Sequence, residues 1–377
     1  MIYLDYNATA PMRAEALDAL ETMSRDARNA TSIHGPGRRA RVALDGARES
    51  VRALVGAAKM DVVFTGSGTE ADLLGLMGLA RRERRARGAQ RVLISAIEHP
   101  AVAEAAHQLS REGFVIEQIP FARPSGIDFE VFESMLGPDV AVVGVMLANN
   151  ETGLIMPVAR VSRLAGALGV PVHCDAVQAA GKMPVSFVEL GVTTMAIAGH
   201  KFGGPRGVGA LITLKCAALP PLWAGGGQEE GMRSGSHAAG LAVAMGEAAK
   251  TSLAWLEGGG VTAMAGLRDS IEDGFEREVD AQILCRGFER LPNTALIGLS
   301  GWTGKELVER LDDAGVMVSA GAACHAQSSG PSSTAMLFDS TEAMGVMRLS
   351  LGPQSTESDV ARAVSLARQA LVGGLVQ

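Results

Sequence analysis

Lys201, Asp175 and Gln178 each stand just beyond an apolar run, and their residue types suit one kind of chemistry. Lys201 follows Met195 to Ala198, lies beside glycines, and is one of only six lysines in a chain rich in arginine. A lysine at the end of a buried strand is unusual for a merely solvated residue. Burial lowers an amine's pKa and makes it a nucleophile able to condense with an aldehyde. Asp175 closes the run Val170 to Cys174, where a carboxylate is costly unless it has a partner. Such a carboxylate can keep a pyridine nitrogen protonated, and Gln178 could reach a phenolic oxygen on the same ring. Taken singly, each has a plainer alternative: a loop lysine for Lys201, a helix N-cap for Asp175. Together they suit pyridoxal 5'-phosphate (PLP).

Four further positions join them. Gly66-Ser67-Gly68-Thr69-Glu70-Ala71 links a strand to a helix. Its glycines let the backbone approach a phosphate, and the helix start and the Thr69 hydroxyl supply donors. The same letters fit a dinucleotide fingerprint with Glu98 as the ribose partner, or an ordinary tight turn. His99, in Glu98-His99-Pro100, could stack on a cofactor ring and move protons, or be purely structural. His200 precedes Lys201. Cys324 enters a small, polar stretch running from Ala326 to Ser333, which suits a reactive thiol as well as a small buried residue.

These polar residues need a frame that brings them to one edge. Thr69, His99, Asn150, Asp175, Gln178, His200 and Lys201 each follow an apolar run, and ligands of open α/β sheets collect beyond the carboxyl ends of the strands. Runs at 62–64, 92–94, 115–119, 141–147, 170–174, 195–198 and 208–214 alternate with helical patterns. That alternation predicts buried, mostly parallel strands with helices on both faces, an α/β fold. Gly258-Gly259-Gly260 predicts a break before a smaller α+β part, with helices near 262–278, 304–314 and 356–372 and strands near 294–299, 316–320 and 346–351. The expected division is 15–257 for the larger part, and 1–14 with 258–377 for the smaller.

Composition limits the partners. A net charge of −7 and 4% aromatic residues do not favour nucleic acid. The basic run Arg81 to Arg87 is better explained as a solvated helix end. No stretch approaches the length of a membrane span. The N-terminus lacks the features of a secretory signal, so the cytoplasm is the expected compartment. Cys174, Cys216, Cys285 and Cys324 form no metal-ligand spacing and should be thiols, with Cys174 and Cys285 inert beside apolar strands.

The chain resembles the cysteine desulfurases of nitrogen fixation and iron–sulfur assembly. The resemblance runs from Tyr3-Leu4-Asp5-Tyr6-Asn7-Ala8-Thr9 through Gly68-Thr69-Glu70-Ala71, Glu98-His99-Pro100, Asn149-Asn150-Glu151 and His173-Cys174-Asp175-Ala176-Val177-Gln178. It continues through Gly199-His200-Lys201, Gly225-Gly226-Gly227-Gln228-Glu229 and Arg233-Ser234-Gly235-Ser236 to Arg348-Leu349-Ser350-Leu351-Gly352. It implies a fold type I PLP-dependent transferase and a homodimer. It implies that Lys201 binds the cofactor aldehyde, Asp175 the pyridine nitrogen, and that His99 stacks on the ring. Asn150 and Gln178 would hold the ring; Gly68, Thr69 and His200 the phosphate; Ser236 the partner subunit's phosphate. Arg348, with Asn150, would bind the carboxylate of L-cysteine. Cys324 would carry the sulfur as a persulfide to an acceptor such as an iron–sulfur scaffold protein.

The chain departs from the pattern in Ala198, Ala322 and Ser236, where the family commonly has serine, serine and threonine. Another PLP reaction on this fold, such as selenocysteine lyase or aminotransferase chemistry, is the main rival. A nicotinamide oxidoreductase leaves Lys201, Asp175 and Gln178 unexplained, and a non-catalytic binding protein leaves Lys201, Asp175 and Cys324 unexplained.

Overall fold

Seven short strands, nearly all apolar, form the central sheet of the larger of two units. The computed structural model describes residues 1–25, 29–215, 217–320, 332–338, 340–341 and 344–372. Its larger unit comprises Pro11–Ala148 and Met156–Ala254. Across the sheet the strands run Asp61–Thr65, Gly209–Thr213, Thr194–Ala198, Val172–Asp175, Val140–Gly144, Arg91–Ser95 and Val115–Ile119. The last five are mutually parallel, while Gly209–Thr213 is antiparallel to both of its neighbours. Parallel strands covered on both faces must be apolar along their whole length, and Val140–Gly144 and Thr194–Ala198 are buried at every residue.

The helix Gly68–Arg87 lies on this sheet and packs its small residues inward. A Cβ on Gly75 would fall 2.4 Å from Nδ1 of His173, so only glycine lets helix and sheet approach this closely. The basic run Arg81–Arg87 is the end of this helix. Glu83 pairs with Arg82 and Arg87, and Glu112 with Arg81 and Arg84. Gly88, at φ +73°, ends the helix in the left-handed conformation that glycine adopts freely.

The smaller unit comprises Met1–Ala10, Asn149–Ile155 and Trp255–Gln377. Its antiparallel sheet is ordered Met344–Ser350, Thr294–Ser300, Gln282–Leu284. Helices Gly260–Val279, Gly304–Asp313 and Glu357–Leu371 share an apolar core with it, built around Phe275, Ile297, Leu311 and Met347. Thr303 and Thr356 each close a capping box with an acid three residues on. The chain's first strand, Ile2–Tyr3, pairs in parallel with Val316–Met317.

Several boundaries differ from expectation. The run 141–147 is a strand only over Val140–Gly144; beyond it the Leu147 N–H donates to the Asp175 carbonyl. Helices Ala14–Ser24, Gly35–Leu54 and Ala239–Glu257 were not anticipated. Asn149–Ile155, which follows a strand of the larger unit, belongs to the smaller one. Among the described residues no helix is long and apolar enough to cross a membrane, and no cluster of His, Cys, Asp and Glu could hold a metal ion.

Candidate active site

The parallel register of the large sheet brings Ser95, Asp175 and Ala198 to one edge, and the chain turns just past each of them carry the polar residues. At the first turn Ser67 caps the long helix by accepting from the Glu70 N–H at 3.0 Å, while Glu70 accepts from the Gly66 N–H at 2.7 Å. The N–H groups of Gly68 and Thr69 are first-turn donors that a helix cannot satisfy internally. A Cβ on Gly68 would meet Val177 at 2.9 Å and Ala198 at 3.1 Å, so the backbone here must be bare. Thr69 is exposed.

Asp175 is 5% exposed, and its Oδ1 accepts from the Val177 N–H at 2.9 Å. No helix begins there, so the carboxylate is not a helix cap. Burial raises its pKa, while His99, the Val177 N–H and Lys201 draw it back. His99 caps the helix Pro100–Arg111, its Nδ1 accepting from the Ala101 N–H at 3.1 Å. The proton of the neutral ring therefore sits on Nε2. Burial holds His99 below its usual pKa, with Asp175 opposing and Lys201 reinforcing the shift. Asp175, His99 and Lys201 thus form one electrostatic cluster.

Lys201 ends the 3-10 turn Gly199–Lys201. The residue after it is fixed by its carbonyl, which accepts from Arg13 Nε at 3.2 Å and Ser252 Oγ at 3.1 Å. Burial pushes His200 down to about 4, helped by Lys201, Arg206 and Lys182. His200 is therefore neutral at physiological pH.

Lys182 escaped the sequence analysis. It is 7% exposed, and its Nζ donates to Gln178 Oε1. An ammonium has no acceptor, so the amide oxygen must face it and the Gln178 NH2 group points away. Its signal was available: a lysine four residues after Gln178 in a lysine-poor chain.

Glu98 is not placed to bind a ribose. Its Oε1 accepts from the Met146 N–H at 2.8 Å and from Ser95 Oγ, and its buried Oε2 has no partner among the described residues. Burial raises its pKa from 4.5 to about 8. Between those values the native state keeps a proton that the unfolded chain has released, so this group's stabilisation is full below pH 4.5 and is lost as pH rises through about 8. Glu98→Gln should leave stability below pH 4.5 little changed and flatten its decline between pH 4.5 and about 8. Urea unfolding of both proteins across this range checks this; parallel curves would contradict it.

In the smaller unit Asn150, Arg348 and the N-terminal segment are bound together. Asn149 Oδ1 shapes the turn by accepting from the N–H groups of Glu151 and Thr152, both at 3.0 Å. The Asn150 carbonyl accepts from Asn7 Nδ2 at 3.3 Å and from Arg348 Nη1 at 2.9 Å. Arg348 is 2% exposed and pairs through Nη2 with Asp5 at 2.5 Å. Its buried Nε has no partner among the described residues. Ser236 is exposed. Cys324, Ala322 and Cys216 lie outside the described residues, while Cys174 and Cys285 are buried and form no disulfide among the described residues. Burial, with Asp175, Glu98 and Asp72 nearby, raises the Cys174 pKa well above its ordinary value, which suits an inert thiol.

In the larger unit this donor set fits pyridoxal phosphate. A bare helix start suits a phosphate, a buried carboxylate suits a pyridinium, and an amine within electrostatic reach of that carboxylate suits an aldehyde.

The family model for class-V aminotransferases matches residues 2–363. The IscS-like cysteine desulfurase of Mycobacterium tuberculosis is 38% identical, the alignment covering 97% of this chain and 95% of that one. The chain is a cysteine desulfurase family member. Also similar is the cysteine desulfurase NifS of Azotobacter vinelandii, at 35% identity over 96% of this chain and 90% of that one. A solved NifS-like protein superposes with a TM-score of 0.90 at 31% identity, covering 99% of both chains. This desulfurase family member is an enzyme of the fold type I class, and its cofactor is pyridoxal 5'-phosphate.

Proposed function

We propose that this enzyme converts L-cysteine to L-alanine and passes the sulfur through Cys324 to an acceptor. The observation that supports this best is the cluster of Lys201, Asp175 and His99 at one sheet edge, in a chain whose curated relatives are named cysteine desulfurases. Bound PLP would supply an electron sink for the substrate's Cα.

The chain's own residues do the rest. Lys201 Nζ would hold the cofactor aldehyde and would carry the substrate's Cα proton. Asp175 holds a proton on the pyridine nitrogen. Gln178, with its NH2 group turned away from Lys182, donates to the ring's phenolic oxygen. Gly68, Thr69 and His200 hold the phosphate. Ala198, beside Gly68, offers no hydroxyl there. His99 stacks on the ring. Arg348 and Asn150 bind the substrate carboxylate. The Cys324 thiolate attacks the substrate sulfur: an S–S bond forms, the Cβ–S bond breaks, and its electron pair stays on Cβ, which takes a proton. Cysteine and one thiol thus become alanine and one persulfide.

The chain works as a homodimer in which the exposed Ser236 reaches the partner subunit's phosphate. Buried Cys174 and Cys285, which form no disulfide among the described residues, suit a reducing compartment, and we place the enzyme in the cytoplasm. Iron–sulfur cluster assembly is the destination we favour, with a scaffold protein as acceptor, because IscS and NifS relatives recur among the matches.

Asp175→Ala tests the site. The variant should retain bound PLP yet form alanine from cysteine at least about a hundredfold more slowly, the scale of losing one preorganised charge at a reacting centre. Wild-type turnover would remove Asp175 from the mechanism and leave it a turn residue for Val177.

A further inference from the structure

Arg348 needs an anion even when no substrate is bound. It is 2% exposed, and a buried guanidinium without a partner is strongly destabilising. Asp5 supplies that anion from 343 residues away in the chain. The two backbones are tied together: the Ser350 N–H donates to the Leu4 carbonyl at 2.7 Å, and the Tyr6 N–H to the Ser350 carbonyl at 3.2 Å. Tyr3 Oη further fixes the Asp5 carbonyl at 3.1 Å.

A guanidinium has five N–H donors. Asp5 takes one on Nη2 and the Asn150 carbonyl takes one on Nη1. Two acceptors on two different nitrogens set the plane of the group. Nε has no partner among the described residues, and a second N–H remains on each Nη. One further carboxylate is the acceptor that a planar fork of this kind fits.

We propose that Asp5 is a positioning residue for the substrate carboxylate: it fixes the plane of Arg348, so that the donors left over meet the carboxylate of an α-amino acid. This rests on the role given to Arg348 above. Asp5 itself touches no substrate atom. Its loss therefore weakens binding of ligands that carry a carboxylate and leaves binding of amines that lack one unchanged.

The test titrates the holoenzyme with L-alanine and, separately, with L-alaninamide, which keeps the amine but lacks the carboxylate. The cofactor's absorbance reports capture of either ligand. Asp5→Ala should weaken L-alanine binding about tenfold or more, the worth of one charge-assisted hydrogen bond, and change alaninamide binding less than about twofold. Asp5→Asn keeps an acceptor oxygen and should fall between wild type and Asp5→Ala; it carries the test if Asp5→Ala does not fold. Arg348→Lys keeps the charge but loses the fork, and should abolish the preference for L-alanine. If Arg348→Lys loses that preference while both Asp5 variants keep it, the inference about Asp5 is wrong and the arginine clamp stands. Equal weakening of both ligands by the Asp5 variants would reduce Asp5 to a structural role and also overturn the inference. If Arg348→Lys keeps the preference, the clamp itself fails and the inference fails with it.

Discussion

Lys201→Ala is expected to abolish alanine formation from L-cysteine, by roughly a thousandfold or more, because the variant loses both its cofactor tether and its proton carrier. The cofactor should still enter the site, since Asp175, His99, Gln178 and the start of the helix Gly68–Arg87 remain. It should leave on dialysis. Borohydride treatment of the wild-type holoenzyme should fix the cofactor on the peptide containing Lys201, and the Lys201→Ala protein should not be labelled. Lys182 makes this a real test. It is buried where Lys201 is half-buried, and its Nζ already donates to Gln178 Oε1. Label on Lys182 would invert the assignment of the two amines.

Cys324→Ser should separate cofactor chemistry from sulfur transfer. The serine variant keeps Lys201, Asp175 and Arg348, so it should bind PLP and respond spectroscopically to L-cysteine as the wild type does. Alanine and sulfide production should fall by about three orders of magnitude, because a hydroxyl is a far weaker nucleophile toward sulfur than a thiolate. Retained desulfuration would favour a lyase-type reaction on this fold, in which no protein thiol takes part.

Part of this site was legible because its signals are local. Asp175 stands out as an acid closing an apolar strand, and Lys201 as a scarce lysine after another; the parallel sheet then brings both to one edge. The helix Gly68–Arg87 was legible from Gly66-Ser67-Gly68 before it and the paired charges at its end. Other parts depend on contacts that no local pattern encodes. The Asp5–Arg348 pair spans nearly the whole chain, as does the bond from Asn7 Nδ2 to Thr294 Oγ1 at 2.9 Å. The assignment of Asn149–Ile155 to the smaller unit follows from pairings such as Leu154 with Arg290. Glu98 looked like a ligand for a ribose because it ends a strand; only the donors from Met146 and Ser95 show its carboxylate turned toward its own chain. Helix Ala239–Glu257 was missed because apolar residues surround it with little periodicity.

Locating the transferred sulfur tests the central claim most directly. The holoenzyme is exposed briefly to L-cysteine without an acceptor, digested under conditions that preserve persulfides, and its cysteine peptides are weighed by mass spectrometry. One additional sulfur atom should appear on the peptide containing Cys324, in step with one alanine released per site. An additional sulfur on Cys174, Cys216 or Cys285, or release of alanine with none on Cys324, would contradict the proposed route.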